Sequence, residues 1–414
     1  MQLPTHLRTT LIAGATVMLL SACGGGGSSS SNSPSNPVNE EPFGNTDTSD
    51  YTGRLVWGVV GMMGGANHGI RVWDMPSSSY VLELDNDAVY TPPSLSASNQ
   101  AITYTEDDLE NLGVPAKAYI HNIETGQRHQ VPERNSDNDI RKVFEPSITS
   151  DGQTIVFVDA IHEESEHITG AAGDIISEGL ATWSIDHAQP ERISENLAEG
   201  SSHDMICPQV SADGSRVVVL SGHGIHVVDN GDDPYLIDFD EFADLDAISL
   251  DRDPASRCPI ELSEDGHRIA FYGFNDSYDS NTRMPFVYDI EDQELFYFNG
   301  LEDKGHLYSY SMSGNGQRIA LVMQDVVTGE EPDMVYRNYL VDVDGHSSPQ
   351  LLETFSMSEH GNNIGRNIAI SRDGQTIATS IDMTEQIKIM RSDGSDVRYI
   401  QDSGAIGIGL SLTF

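Results

Sequence analysis

Short runs of alternating apolar and polar residues recur along the chain, and each is followed by a tight turn and a second apolar run. Alternation with a period of two predicts half-buried β-strands, and Asp-Gly or Asn-Gly between two runs predicts a hairpin. The pattern occurs six times, and its turns are marked by Gln100, Gly152, Gly214, Gly266, Gly316 and Gly374. These positions lie roughly 50 to 62 residues apart. All-β units with a period of about 40 to 60 residues predict a β-propeller.

Each full repeat holds four predicted strands, and the ends of the chain supply four more. In the third repeat the strands are predicted at 206–212, 216–222, 224–229 and 235–240. Runs outside the six repeats lie at 54–60, 69–74, 80–85 and 405–414. Three strands from the start and one from the end complete a blade, which closes the ring and removes its open edge. We predict an all-β, seven-bladed β-propeller whose last blade is shared by N- and C-terminal strands. The alternative is six blades with the terminal pieces packed outside.

The repeats also carry a recognisable motif, in which a proline and a short strand precede Ser-x-Asp-Gly and an apolar strand. Residues 146–152, 208–214 and 259–266 match its first half, and 342–345 and 392–394 match its distal Asp-Gly turn. The repeats resemble the WD-like propeller repeat of the TolB type. The resemblance implies a propeller from residue 51 onward without the separate N-terminal α/β domain of TolB, so membership of the Tol complex is not implied. Because sugar lyases and some peptidases share this repeat, it indicates fold more than function.

The first 50 residues predict export and lipid attachment. Residues 1–22 resemble a lipoprotein signal peptide, with Arg8 before an apolar run too short to span a membrane, followed by a lipobox that ends at Cys23. Gly24 after that cysteine favours the outer membrane in lipoproteins of this type. An ordinary secretory signal that ends near a cysteine is the alternative. Residues 23–50 are rich in Gly, Ser, Asn and Pro and predict a disordered tether, which leaves 51–414 as the propeller domain.

Charge and cysteine content narrow the expected partners. The formal net charge is -43, which disfavours nucleic acid and anionic lipid surfaces, so we expect membrane association only through the N-terminal lipid. We attribute the charge to solubility rather than to a dedicated cationic partner, and we expect a monomer. With Cys23 assigned to lipid, Cys207 and Cys258 remain, each directly before a proline and in consecutive repeats. They predict either a disulfide or two small buried thiols.

Connection lengths predict which side of the propeller carries function. The long segments either join second and third strands or join one blade to the next: 161–178, 275–283, 326–335, 132–142, 194–205, 241–256 and 355–363. Both kinds emerge on the same side of an up-and-down propeller, and elaborated loops on a rigid scaffold usually carry binding sites. Residues that enter the first strands from that side are candidates for the channel rim: Lys142, Phe144, Glu145, His203, Asp204, Arg257, His306, Tyr308, Arg366 and Asn367.

These candidates have two interpretations. The arginines match the geometry of a carboxylate or an acidic peptide tail, because a guanidinium donates paired hydrogen bonds. Alternatively, Arg257 and Arg366 each only neutralise neighbouring acidic side chains. Together the ten residues predict a mixed polar recognition surface.

Metal and catalytic motifs are weak. The acidic segment 238–253 offers oxygen ligands for calcium but lacks the glycine and terminal glutamate of the helix-loop-helix site, so we interpret it as a solvated loop and predict no cofactor, with calcium as the alternative. The spacing of His162 and His167 does not fit one face of a zinc-binding helix. The sequence also lacks a G-x-S-x-G elbow and a phosphate-binding glycine loop.

The predicted function is therefore a non-enzymatic, lipid-anchored binding or scaffold module of the cell envelope. Its partner would be a protein, a peptide or an envelope glycan. The alternative is a metal-assisted propeller enzyme such as a polysaccharide (uronate) lyase. That enzyme needs a metal and a base at the channel mouth, and His203 and His306 have no clear third ligand in the sequence.

Overall fold

The protein is described from a computed structural model. The described residues are 47–59, 69–85, 93–106, 117–132, 139–164, 172–195, 206–221, 224–229, 233–239, 245–246, 260–275, 283–301, 304–327, 333–344, 346–357, 365–381, 386–401 and 410–413. Within these ranges, no helix has both the length and the apolar character needed to cross a bilayer.

Seven antiparallel sheets, here called blades, form the fold. The closing blade contains β1 (Arg54–Val59), β2 (Gly69–Asp74), β3 (Ser79–Asp85) and β29 (Leu410–Thr413). Blade 1 contains β4 (Ser94–Leu95), β5 (Ala101–Glu106), β6 (Lys117–Asn122) and β7 (Arg128–Gln130). Blade 2 contains β8 (Asp139–Ile148), β9 (Thr154–Glu164), β10 (Ala172–Ser184) and β11 (Glu191–Glu195). Blade 3 contains β12 (Ile206–Val210), β13 (Arg216–Ser221), β14 (Gly224–Asp229) and β15 (Tyr235–Asp238).

The remaining blades follow the same order along the chain. Blade 4 contains β16 (Leu245–Asp246), β17 (Ile260–Leu262), β18 (Arg268–Asn275), β19 (Arg283–Asp289) and β20 (Glu294–Tyr297), and both β16 and β17 pair with β18. Blade 5 contains β21 (His306–Met312), β22 (Arg318–Val327), β23 (Asp333–Asp342) and β24 (Gln350–Ser356). Blade 6 contains β25 (Gly365–Ile370), β26 (Thr376–Ile381), β27 (Gln386–Arg391) and β28 (Arg398–Ile400).

The two ends of the chain close the ring. Strand β29 pairs antiparallel with β1, in a register that places Leu410 opposite Trp57 and Thr413 opposite Arg54. Trp57 is fully buried, so the junction also lies in the core. The predicted seven-bladed propeller with a shared closing blade is confirmed, and the six-bladed alternative is wrong.

The Ser-x-Asp-Gly motif forms a hydrogen-bonded turn between the first and second strands of a blade. In blade 3 the Ser211 hydroxyl donates to Asp213 Oδ1 at 2.8 Å and accepts from the Arg216 amide at 3.0 Å. Gly214 follows with φ +77°, a conformation that glycine adopts without steric cost. The same serine-to-Asp or serine-to-Asn bond recurs from Ser263, Ser313 and Ser371. The motif recurs because its serine and aspartate side chains form hydrogen bonds with turn groups that have no partner in a neighbouring strand.

A repeated arginine clamp joins neighbouring blades. Arg216 donates from Nε and Nη2 to the Asp229 carboxylate of its own blade, at 2.5 and 2.9 Å, and from Nη1 to the Gly266 carbonyl of the next blade at 2.7 Å. Three other arginines make the equivalent contacts, and each also bonds to an aspartate of its own blade. The carbonyl acceptors in the next blade are Gly316 for Arg268, Gly374 for Arg318 and Asn99 for Arg54. Bidentate and charge-assisted bonds are stronger and more directional than neutral ones, so the clamp fixes the angle between blades.

Apolar side chains fill the spaces between blades. The largest buried cluster joins blades 3, 4 and 5 and includes Phe271 and Phe286, whose rings stack at 5.7 Å between centroids. Burying a side chain of this size stabilises the fold by about 1.5 to 3 kcal/mol. The faces of the blades, rather than a single central core, therefore hold the ring together.

Several strands extend into segments that the sequence predicts as loops. Strand β9 continues to Glu164, β10 begins at Ala172, and β8 begins at Asp139. The loop boundaries 161–178 and 132–142 are therefore too wide. The polar run at 162–167 carries no hydrophobic alternation, so the sequence pattern does not mark where β9 ends.

Contacts of the propeller begin slightly before residue 51. Thr48 is fully buried against the closing blade, where its hydroxyl donates to the Met75 carbonyl at 2.8 Å and accepts from Trp73 Nε1 at 3.0 Å. The predicted signal peptide and most of the predicted tether lie outside the described residues.

Candidate functional site

The propeller has two different faces. We call the side of the Ser-x-Asp-Gly turns the turn face, and the opposite side, from which the long connections leave, the elaborated face. On the turn face, backbone hydrogen bonds link each turn to the next around the channel. The bonds run from Ser98 to Ser150, from Ser150 to Ala212, from Ala212 to Glu264 and from Glu264 to Gly314, at 2.8 to 3.0 Å. These bonds tie blades 1 to 5 into a continuous arc.

The side chain of Arg372 connects blade 6 to two of the blades in this arc. It occupies the same turn position as Ala212 and Glu264, and its Nη1 donates to the Ala97 carbonyl of blade 1 at 3.1 Å. The closing blade contributes no turn here, because β29 and β1 come from opposite ends of the chain. Arg372 Nε also forms an ion pair with Glu264 of blade 4. One side chain thus connects three blades across the turn-face mouth of the channel.

Gly314 provides the space for this ion pair. A Cβ atom there would lie 2.6 Å from Arg372 Cγ and 2.7 Å from Glu264 Cδ, which is closer than real Cβ contacts occur. Partial burial raises the pKa of the Glu264 carboxyl, and the Arg372 guanidinium offsets part of that rise. The turn-face mouth of the channel therefore holds packed, paired side chains.

On the elaborated face, the clearest group of side chains lies in blade 5. His306 Nε2 donates to Gln324 Oε1 at 2.8 Å, and the Gln324 amide and the Tyr336 hydroxyl both contact Met334 Sδ, at 2.7 and 3.1 Å. Tyr308 lies at an irregularity of β21, where the pairing shifts between Leu307 and Ser309.

The Tyr308 ring is both exposed and fixed. Its side chain is 42% exposed, and its ring meets the buried Tyr336 edge-on at 5.5 Å between centroids. Edge-to-face aromatic pairs hold a ring in a defined orientation. Tyr308 therefore presents an exposed, oriented aromatic ring on the innermost strand of blade 5.

Other predicted rim residues have different environments. Asn367 is buried, and its amide donates to Ser380 Oγ at 3.2 Å within blade 6. Lys142 and Phe144 lie in β8 and Arg366 in β25, the innermost strands of their blades. His203, Asp204 and Arg257 lie outside the described residues.

Glu145 holds two blades together. Its carboxylate accepts from the Cys207 amide of blade 3 at 2.5 Å. Both Glu145 and Cys207 have φ in the left-handed region, +48° and +57°, at irregularities in β8 and β12. Between blades 4 and 5 a different position makes a similar contact: Glu261 accepts from the Met312 amide at 2.5 Å, where Ser147 of blade 2 accepts from the Val210 amide of blade 3 at 3.3 Å. These carboxylates position the channel wall.

Cys207 is buried and disulfide-bonded. Cys258 and Cys23 both lie outside the described residues, so the pairing of Cys207 with Cys258 stays a prediction. The acidic segment considered for calcium is described only at Asp238, Phe239 and Leu245–Asp246. Among the residues that the structure describes, no three His, Cys, Asp or Glu side chains are placed to hold a metal ion.

Sequence reasoning missed Arg372 and Glu264. A signal was present, because the second position of the turn motif is charged only in blades 4 and 6, whereas the other blades have Ala97, Ser150, Ala212 and Gly314. Their contact depends on the ring geometry, which brings turns of non-adjacent blades together.

Comparisons with known proteins were made for the whole chain. No family model matches it, and no curated protein matches it. Among solved structures, a functionally unknown protein from Desulfotomaculum acetoxidans DSM 771 is 11% identical, with a TM-score of 0.51, over 87% of this chain and 99% of that chain. This chain has the same fold. At such low identity the likeness shows the fold alone.

Two further solved structures are similar at lower TM-scores. TolB from Acinetobacter baumannii is 14% identical, with a TM-score of 0.45, over 87% of this chain and 67% of that chain. Hydrazine synthase from Kuenenia stuttgartiensis is 13% identical, with a TM-score of 0.44, over 73% of this chain and 76% of that chain. TolB is thus among the solved structures to which this chain is similar.

Proposed function

We propose that this chain is a non-enzymatic binding or scaffold module of the bacterial cell envelope. In this proposal it is anchored by lipid at Cys23 and recognises its partner on the elaborated face. The main support is the asymmetry of the two faces. The turn-face mouth holds the Arg372–Glu264 ion pair, whereas the elaborated face carries an exposed tyrosine, oriented by its edge-on contact with Tyr336, on the innermost strand of blade 5.

The partner class is a protein, a peptide or an envelope glycan. A rigid aromatic ring beside hydrogen-bonding groups suits each of these, because the ring supplies contact area at low entropic cost and the polar groups supply orientation. In Tyr308 and His306 the chain offers both kinds of group.

The binding proposal is tested by affinity capture from detergent-solubilised envelopes with the full-length, lipidated protein. The Tyr308→Ala variant is compared with Tyr235→Ala, a matched control because Tyr235 is also 42% exposed but lies on the outermost strand of blade 3. We expect Tyr308→Ala to reduce the captured partner by about tenfold or more, as for a contact residue worth at least about 1.4 kcal/mol. We expect Tyr235→Ala to bind like the wild type.

Two results would overturn this proposal. Equal loss of capture in both tyrosine variants would contradict recognition at the blade 5 rim. Recovery of only shortened sugars after incubation with envelope polysaccharide would instead support the lyase alternative. The anchor is tested separately by metabolic labelling with a palmitate analogue, which we expect to modify the wild type and not Cys23→Ala.

A further inference from the structure

Four polar side chains lie inside the otherwise apolar interface between blades 5 and 6: Asn338, Glu353, Thr379 and Lys388. Asn338 and Thr379 are fully buried. The surrounding cluster consists of aliphatic, aromatic and methionine side chains from both blades. Polar groups in such a setting are costly unless they are hydrogen-bonded.

The four side chains belong to two rows that face each other. In blade 5 the cross-strand neighbours are Val322, Asn338 and Glu353. In blade 6 they are Ile368, Thr379 and Lys388. Residues directly opposite one another in antiparallel strands share a face of the sheet. An ion pair between Lys388 Nζ and Glu353 Oε1 joins the two rows. Asn338 and Thr379 are the next residues inward from this pair, one in each row.

Several polar atoms in this group lack protein partners. Asn338 Oδ1 and Nδ2, Thr379 Oγ1 and Glu353 Oε2 are all buried and have no hydrogen-bond partner within the described part of the chain. An unsatisfied buried polar atom keeps the full penalty of its desolvation, and buried polar groups in native proteins are almost always satisfied by protein or water. Asn338 and Thr379 face each other without bonding to each other.

The other blades show that this interface does not need polar residues. Asn338 lies opposite the fifth residue of the second strand of its blade. The residues at the equivalent position in the other blades are Ile70, Ala118, Leu180, Ile225, Pro285 and Ile387. Thr379 is the fourth residue of its second strand, where the other blades have Trp57, Tyr104, Phe157, Val219, Phe271 and Leu321. Threonine is smaller than all of these residues, so its side chain fills less space at this level than its counterparts in the other blades.

We propose that blades 5 and 6 enclose a buried hydration site, in which at least one internal water bridges the Asn338 amide, the Thr379 hydroxyl and Glu353 Oε2. Water suits these groups because it both donates and accepts, and an internal water typically makes about three hydrogen bonds. The Lys388 ammonium disfavours a metal cation at the same place by like-charge repulsion. Such a water also solvates the interblade ion pair and lowers the cost of burying it.

The experiment is a pair of crystal structures, of the wild type and of Asn338→Leu, together with oxygen-17 relaxation dispersion to count long-lived internal waters. We expect wild-type density about 2.7 to 3.2 Å from both Asn338 and Thr379. We expect Asn338→Leu to lose that density and at least one long-lived water. The control is Ile70→Leu, at the same register position of the closing blade, which we expect to keep the wild-type count.

Two results would overturn the proposal. The first is wild-type density in which Asn338 bonds directly to Glu353 or Thr379 with no water between them. The second is an unchanged count of long-lived waters in Asn338→Leu. If that variant does not fold, Thr379→Val provides the same comparison, and the wild-type density decides by itself.

Discussion

Replacing Arg372 with glutamine is expected to destabilise the protein by an amount that depends on pH. The arginine makes one hydrogen bond to the Ala97 carbonyl and one ion pair with Glu264, and the two ionic side chains are 31% and 24% exposed. The carbonyl bond contributes about 1 kcal/mol. The partly buried ion pair contributes about 1 to 2 kcal/mol after allowance for solvent screening. We therefore expect Arg372→Gln to lower the free energy of unfolding by about 2 to 3 kcal/mol at pH 7.5.

The pH dependence follows from Glu264. Burial raises the pKa of this carboxyl above its ordinary 4.5, so the folded state binds its proton more tightly than the unfolded state does. Its contribution to stability is fully present below pH 4.5 and is lost as the pH rises through the folded-state pKa. Without Arg372 that pKa rises further and the loss is greater. The cost of Arg372→Gln therefore grows with pH, from about 1 kcal/mol near pH 4, where only the carbonyl bond is missing.

Urea denaturation at several pH values measures this cost, with an unchanged m-value required for a two-state comparison. Glu264→Gln is the informative partner variant, because the site already favours the neutral acid, and we expect it to cost less than about 1 kcal/mol. Arg337→Gln is the matched control, since Arg337 pairs with Asp325 at 3.2 Å and has similar exposure within blade 5. A cost for Arg372→Gln that is equal at pH 4 and pH 7.5 would refute the reasoning. So would a cost below that of Arg337→Gln.

Three further predictions concern stability and are measured as shifts in the urea midpoint. Gly314→Ala is expected to lower the free energy of unfolding by about 1 to 3 kcal/mol, because its Cβ would overlap Arg372 and Glu264. Arg372→Ala should relieve part of that cost, and purely additive effects of the two substitutions would contradict the prediction. Arg216→Gln should cost about 2 to 3 kcal/mol, because it removes the bidentate Asp229 pair and the link to Gly266, and a loss below about 0.5 kcal/mol would show that the clamp is dispensable. His121 is buried, and its pKa is lowered below 6.5 mainly by that burial and secondly by Arg128, so stability should fall as the pH drops below 6.5. His121→Leu should remove that part of the acid sensitivity. Identical pH profiles for the wild type and His121→Leu would disprove this prediction.

The strand pattern and its turns were predictable because they depend on local rules. Asp213 and Gly214 need only their own neighbours to form a hairpin turn, and the same turn recurs in every repeat. The closing blade was predictable by counting, since an open ring would leave unpaired strand edges. Strand ends such as Glu164 and Ala172 were not predictable, because the polar run at 162–167 carries no hydrophobic alternation.

Two of the predicted rim residues have different environments. Tyr308 lies exposed on the innermost strand of blade 5, whereas Asn367 is buried within blade 6, and a binding role for either stays a prediction. The two residues have similar positions relative to their turn motifs, so spacing alone does not separate them. Whether a side chain at an irregular strand position faces solvent or a neighbouring strand depends on the local shift in register.

The sequence by itself determined the all-β class, the number of blades and the closure of the ring, because each follows from periodicity and from the pairing needs of strands. Only the tertiary structure decided which turns meet across the channel, and it is this meeting that joins Arg372 to Glu264. It also decided that Asn338 faces Thr379 inside a blade interface. Contacts between residues far apart in the chain depend on the curvature of the ring and the register of each strand, and no local pattern encodes either one.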